Sequence, residues 1–559
     1  MAKITGISTK VDLNIKTGVA NANKVEASDI NEIVTVVNSN AIISDSNKDK
    51  VDSLINGSGQ TYISISLAMA VLPLPNDNTP FTVRGSVDGL EDGYYIYLST
   101  EGGGYKFLDS LQANSNGYYL IETLNDFDSL ILNNTLGVWM IISDITLDAN
   151  KTIPSGVTLQ SRNAIIHLSG FAITGNSTKI NNNLTQVFDV SGSFNGTWDV
   201  EGVFIEWFGY VSGSDSTDLF LKASEFGKPI YLNEKTYLIS KISFSNKVTI
   251  EGKGNGSIIE VLPTVVGDIA IELTSDESVF KNFKVVNNTV VTNTSTIEFT
   301  NVNDSVCENV TVEKGQFGIK FANSIGDYSV NKNNKIKNCK VSNTTSFGFE
   351  LEKMSDSEIV NSKANDCDTD GFKFRSINKN IVVSLNISTN NGRDGFDFYD
   401  GVIGSTISNN ISLNNTLNGF ECKGTKADGE YVFRDNDFVG NVAEGNGVVG
   451  TAIQSVRNCT FTACQSNSNQ EEGFLINEVQ NCTFTALVSG KNTMHGYNIL
   501  SMSRSTMNSC VAVDNSWDDG IIQNGTYSGF YLDTNSSGNV LNACRTLNGT
   551  LTDKKGGQG

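Results

Sequence analysis

Two carboxylates, Asp397 and Glu421, hold the same place in near-copies of one short motif, GFDF at 395–398 and GFEC at 419–422. A third copy, GFKF at 371–374, puts Lys373 there. Side chains alternate along a strand, so if the aromatic rings face a core, these three residues face outward. Stacked about 4.8 Å apart, the two carboxylates approach the roughly 5–9.5 Å separation that glycoside hydrolysis requires of its carboxyl pair. Like charges that close raise one pKa and turn that group into a proton donor. Glu352, Arg375, Tyr399 and Lys423 form a second column beside the first, and Lys373, Arg375, Arg393, Tyr399 and Lys423 together are candidates for holding a glycan. A lyase would instead set a cation or Ca²⁺ against a uronate carboxylate, for which Asp366, Asp368 and Asp370 with Arg393 are the candidates. No metal or cofactor is otherwise called for. The same columns also read as a solvated ladder of opposite charges, each pair worth about 0.2–1 kcal/mol.

A further column lies in the turn before each Gly: Phe347, Asp370, Asp394, Asn418, Glu472, His495 and Asp519. His495, one of two histidines, would sit between two carboxylates, which favours its charged form and suits acid–base work. It reads equally as a turn residue held by local hydrogen bonds. Trp517, Tyr527 and Tyr531 could stack on sugar rings or cap the last coils. No Ser-His-Asp or Cys-His pairing is readable, because His167 lies far upstream in AIIHLSG.

The elements that must position these residues show themselves as a repeat. Gly-led units begin at 318, 348, 371, 395 and 419, and again at 473, 496 and 520, with steps of 23 or 24 residues dominating. Strand-like pieces such as DSEIVNSKA and QNCTFTAL precede them by half a period. A period near 23 is too short for helical hairpins, and the leucine-rich signature is missing. It predicts a parallel β-helix of stacked coils, each with about three short strands, sharing a continuous core. Recurrent Asn at turns predicts amide ladders from coil to coil. The interval from 419 to 473 predicts two coils, with VVGTAIQ (448–454) the degenerate middle one.

Composition agrees with an all-β body. The 559 residues hold 52 Gly and only 6 Pro, with Asn, Ser and Thr for turns and Val, Ile and Phe for strands. A net charge of −21 with no Lys/Arg cluster argues against nucleic acid and anionic membranes as partners. The nine cysteines lack a metal-binding spacing; KNC, RNC, QNC, NSC and NAC predict small apolar residues in one recurrent setting, reduced in a cytosol-made protein. The opening MAKITGISTKVDLNIK lacks an apolar run after its basic start, so no export signal or membrane span is expected.

Four regions are expected. Residues 1–57 are a helical segment, since Ser28 precedes Ile30, Ile33, Val34 and Val37 at helical spacing. Its narrow stripe fits either a bundle of several chains or a helix docked on the next domain. Residues 58–144 are a small β connector, 145–545 the β-helix with first coils at 145–205, and 546–559 a tail. Within the third, IPSGVTLQ (153–160), Trp207-Phe208-Gly209, Asp215, Asp218, Ala223, Tyr231-Leu232 and Tyr237-Leu238-Ile239 resemble the opening coils of pectate-lyase-like right-handed parallel β-helix proteins, a pattern frequent in phage tailspikes and tail fibres. VEASDINEIVTVVNSNA is similar to virion-proximal segments of phage tail appendages.

That resemblance implies a homotrimeric tail appendage in the virion, made in the host cytoplasm. Its N-terminal region would join tail or baseplate proteins, and its β-helix would bind a bacterial surface polysaccharide, with or without cleaving it. A structural virion component and a bacterial polysaccharide lyase or hydrolase are the alternatives. The paired aspartates and GHG signature of polygalacturonases are missing, so the resemblance carries no catalytic residue onto this chain.

Overall fold

The structure is a computed structural model. It describes residues 118–547 apart from 183, 264–268, 289–294, 400, 425–430 and 516–528, and, as backbone only, short strands at 61–62, 80–83, 93–98, 104–107, 426–427, 517–518, 521–522 and 551–552. The helix expected from Ser28 lies outside the described residues. Two compact units are present; the first comprises 1–146, 153–164 and 178–181, the second the remainder.

In the first unit, Pro80–Val83, Gly93–Leu98 and Gly104–Phe107 pair antiparallel. Further on, Tyr118–Ile121, helix Leu124–Leu132 and Gly137–Ile141 make a strand–helix–strand with parallel strands. The helix was not expected. Its local signal is a capping box: Thr123 Oγ1 accepts from the Asp126 N–H, and Asp126 Oδ2 accepts from the Thr123 N–H. Val157–Ser161, expected to open the β-helix, pairs instead with Gly137–Ile141 in this unit.

The second unit is a right-handed parallel β-helix. Among the described residues three sheets of 14, 13 and 14 strands run its length, each strand bonded to its counterpart one coil away. One coil supplies Val382–Ser384 to the first sheet, Ile387–Thr389 to the second and Phe396–Phe398 to the third. Thr451 and Ala452 pair with Phe420 and Glu421 on one side and with Phe474 and Leu475 on the other, so 419 to 473 does span two coils.

Three packing rules hold a coil. Third-sheet rings stack face to face, with Phe349, Phe372, Phe396 and Phe420 at centroid distances of 4.6, 4.8 and 4.9 Å. Phe438, Phe461 and Phe484 of the first sheet stack likewise. Those rings fill the interior, so from Ala364 onward the second sheet turns small residues inward, among them Ser388, Ser412, Ala443 and Ser466, where its earlier strands turn in Ile259, Val285 and Val341. Between the second and third sheets the predicted ladder is present: Asn391, Asn415, Asn446, Asn469 and Asn492 each donate Nδ2 to the Oδ1 of the next, the last acceptor being Asn515, at 2.8–3.0 Å.

The motif glycine belongs to this same layer. A Cβ at Gly395 would overlap Ser412 Oγ, and one at Gly371 would overlap Ser388 Oγ. Glycine is needed there for close approach; its φ is ordinary. The cysteines are free, and the five expected in one recurrent setting occupy two. Cys459 and Cys482 precede first-sheet strands, while Cys339, Cys510 and Cys544 precede second-sheet strands.

The Trp207-Phe208-Gly209 stretch is architectural too. Trp207 and Phe208 are buried, and Gly209 ends a 3-10 turn at φ 90. The carboxylate of Glu206 there receives Asn233, Tyr237 and Lys235.

Candidate functional site on the third sheet

Register confirms the outward column of the third sheet. Glu298, Lys320, Glu350, Lys373, Asp397 and Glu421 are successive strand partners. What the alternation rule did not convey is that this face is covered. Glu350, Lys373 and Asp397 are 2, 7 and 0% exposed, whereas a solvated ladder would leave them in water. Aromatic rings fence the column: the Lys373 ammonium lies 4.9 Å from the Tyr399 ring centre and 5.9 Å from that of Phe347.

The charges are paired through that fence. Lys320 Nζ lies between Glu298 at 3.6 Å and Glu350 at 3.8 Å. Arg375 reaches back to Glu350 Oε1 at 2.6 Å. Lys373 forms an ion pair with Asp397 and lies 3.7 Å from Asp370 Oδ2.

The turn column brings in two residues that the Asp397–Glu421 pairing missed. Asp370 and Asp394 are fully buried. Asp370 Oδ1 accepts the Asp394 N–H at 3.1 Å, Asp394 Oδ1 accepts the Asn418 N–H at 2.8 Å, and Asn418 Oδ1 accepts that of Val449 at 3.2 Å. These side chains therefore continue a peptide-bonding ladder and turn one oxygen each toward the column. Asp370, Asp394 and Asp397 place carboxylate oxygens within 4.8 Å of one another. The signal in the sequence was the Asp two residues before Phe372 and Phe396, in the same TDGF and RDGF copies.

Arg393 lies at the rim, 3.8 Å from Asp370 and 3.7 Å from Asp394. Two cations, Lys373 and Arg393, thus face four carboxyl groups, Asp370, Asp394, Asp397 and Glu421. The excess is met by protons. Burial, with repulsion from Glu421, Asp370 and Asp397, pushes Asp394 up to about 8. Burial also pushes Asp397 up to about 7; Lys373 opposes this and Asp370 adds to it. Asp394 is the group best suited to keep a proton at neutral pH, because no ammonium pairs with it.

The sign of the pH dependence follows. Above their ordinary carboxyl values these groups bind protons in the folded state that they release on unfolding. The contribution of these two groups to stability is therefore greatest near pH 4 and is lost as pH rises toward about 8. Asp394→Asn keeps the Oδ1 acceptor for Asn418 and removes the titration. It is expected to gain on the order of 1 kcal/mol at pH 8, roughly 2 °C in Tm, with less gain at pH 5. Thermal melts at the two pH values check this.

The lyase constellation does not assemble. Asp366 and Asp368 are exposed, and Asp366 is bound to Asn365 and Asn390 in a surface ladder. Only Asp370 reaches the acidic group, where the Lys373 ammonium already stands between Asp370 and Asp397. That donor set does not fit Ca²⁺.

His495 is set apart as well. Its carbonyl accepts from Gly473, which puts it one coil beyond Glu472 and four coils beyond Asp394, roughly 19 Å at 4.8 Å per coil. It is half-buried, with its ring 5.1 Å from that of Tyr531. Glu472 Oε1 accepts Asn498 Nδ2 at 2.8 Å. The side chain of Trp517 and Asp519 lie outside the described residues. Accessible along this face are Arg375, two coils before Glu421, with Arg393 and Tyr399, whose exposures are 50, 47 and 37%, and Lys423, 5.2 Å from the Tyr399 ring centre.

Residues 269–441, the stretch containing these coils, match the family model of the right handed beta helix region. No curated protein matches the sequence. Among solved structures, the chain is similar to the catalytic unit of a thermostable GH87 alpha-1,3-glucanase from Streptomyces thermodiastaticus. Identity is 14%, over 63% of this chain and 70% of the other, with a TM-score of 0.46. It is also similar to the A-module of an Azotobacter vinelandii mannuronan C-5 epimerase, at 15% identity over 62% and 90%, TM-score 0.34. Tailspike protein 3 of bacteriophage CBA120 is 14% identical over 62% and 59%, TM-score 0.39. The likeness is one of coiled architecture, and no residue role passes across it.

Proposed function

We propose that this chain is a bacteriophage tail appendage whose β-helix binds a bacterial surface polysaccharide on the third sheet, around Glu421. The observation that carries the binding site is the arrangement of accessible Arg375, Arg393, Tyr399 and Lys423 over carboxyl groups that are themselves buried. Guanidinium and ammonium groups pair with sugar carboxylates or phosphates, and a tyrosine edge supplies a stacking surface. The buried acids beneath hold this rim in place. The assignment to a phage tail, in the virion and as a homotrimer, is supported by the sequence resemblance of the N-terminal segment and of the opening coils.

Cleavage is the second reading, favoured by a carboxyl at Asp397 that burial pushes up to about 7, beside Glu421 on the next strand. Its obstacle is access: Asp397 is fully covered, so Lys373 and Tyr399 would have to move aside before it met a glycosidic oxygen.

A panel of purified capsular and O-antigen polysaccharides, assayed for retention and for new reducing ends, separates the readings. Retention without shortening is expected, weakened about tenfold, or ~1.4 kcal/mol, by Arg393→Ala. Shortening that Asp397→Asn abolishes would make the protein a depolymerase. Failure to retain any member of the panel would leave a structural virion component.

A further inference from the structure

The outer surfaces of the first and second sheets change character along the chain. Up to the coil at 358–365 they carry Lys335, Lys337, Glu358, Lys340 and Lys363. From Val382 to Val513 their outward positions hold Val, Ile, Leu, Thr, Ser, Asn, Gln and Gly, and only Asp437 and Glu444 are charged. On the second sheet Ile387, Ile411 and Val442 are successive partners facing out, and after Gln465 the column resumes with Val488 and Val511. Their inward neighbours Ser388, Ser412 and Ala443 are fully or almost fully buried. The sheet has its aliphatic residues outside and its hydroxyls inside, the reverse of a strand that faces water.

The corner between these two sheets repeats the pattern. Each coil turns there through a left-handed residue, filled by Asn361 and Asn409 but also by Leu385, Ala463 and Ala486 at φ 59, 54 and 53. Asn and Gly tolerate that conformation, and Leu and Ala do not favour it. Leu385 is 53% exposed; Val382 on the strand before it and Val439, two coils further along the first sheet, are each 38% exposed.

We infer that this corner is where copies of the chain pack against one another, side by side along the β-helix. In a three-sided coil the corner between the first and second sheets lies opposite the third. Joining there leaves Arg393, Tyr399 and Lys423 facing outward on every copy. Charge favours a second copy as the occupant, since a chain of net charge −21 can approach its own kind closely only over a neutral surface. Area agrees: six coils at about 4.8 Å, with some 25 Å around the corner, give on the order of 700 Å², near the ~800 Å² that each partner in a stable complex buries. The inference rests on the trimer put forward above only for the number of copies.

Sedimentation of the full chain at micromolar concentration is the first test, with an oligomer expected for the wild type. Leu385→Asp combined with Val442→Lys should raise the dissociation constant at least 100-fold and give a monomer with an unchanged β-type circular dichroism spectrum. In a Cys544→Ser background, Ala486→Cys should be joined between chains by a short bis-maleimide, and Arg393→Cys should not. A monomeric wild type would overturn the inference. So would an oligomer that survives the double substitution while cross-linking fails at 486. Polysaccharide retention by the monomeric variant is scored separately, so that loss of assembly and loss of the glycan site are told apart.

Discussion

Lys373→Met is expected to destabilise the protein by about 3–5 kcal/mol at pH 8, the penalty for leaving buried charge without its partner. Lys373 is the only ammonium paired with both Asp370 and Asp397 among the described residues, and all three are buried. Methionine preserves the aliphatic stem between Phe347 and Tyr399, so the loss isolates the charge. Without Lys373, Asp397 can escape its penalty only by taking up a proton. The effect should therefore shrink as pH falls toward 5, where the carboxyl is neutral at little cost. Lys373→Met combined with Asp397→Asn should recover part of the loss at pH 8, because the orphaned charge is gone. Guanidinium unfolding of the four chains at both pH values decides it. Equal loss at pH 5 and pH 8 would mean that packing, and not charge, is what Lys373 contributes.

Gly395→Ala is expected to cost about 3 kcal/mol, at the upper end for overpacking a well-filled interior. Its Cβ would meet Ser412 Oγ, the Gly419 carbonyl at 2.7 Å and Asn415 Nδ2 at 2.8 Å. Those atoms belong to the Ser–Asn ladder and the adjoining strand, so the coil cannot yield without breaking Asn415 from Asn446 or Ser412. Ser412→Ala in the same chain should restore part of the stability, since it removes the overlapping oxygen and leaves the backbone contact. No such rescue is expected if Gly395 is there for backbone freedom. Thermal unfolding of the single and double variants checks this.

Much of this was legible in the sequence for a physical reason: one coil cannot bury its own apolar face, so the same solution recurs every 23 or 24 residues. The GFKF, GFDF and GFEC copies gave register directly, and register placed Lys373, Asp397 and Glu421 in one column. Alternation tells which side of a sheet a residue is on, but not what stands over that side. It therefore could not show that Tyr399 and Phe347 close over Lys373, or that Asp397 is buried. Asp370 and Asp394 were visible as a turn column, yet their convergence on Asp397 depends on how sharply the chain turns before each glycine. The outward aliphatic residues of the second sheet were hidden by a related assumption. In the run ISL at 411–413, the small polar residue is the one that faces the core, because rings from the other sheets have taken the space. Helix Leu124–Leu132 was short enough to be lost among strand signals, although its capping box was written in Thr123 and Asp126.

Binding of an oligosaccharide is the most direct test of the account. Fragments prepared from whichever polysaccharide of the panel the protein retains should be soaked into crystals of the full chain. Sugar is expected over the third sheet between Arg375 and Lys423, with an acidic group at Arg393 or Lys423 and a ring against Tyr399. Sugar bound on the first or second sheet, at the 382–513 corner, would contradict it.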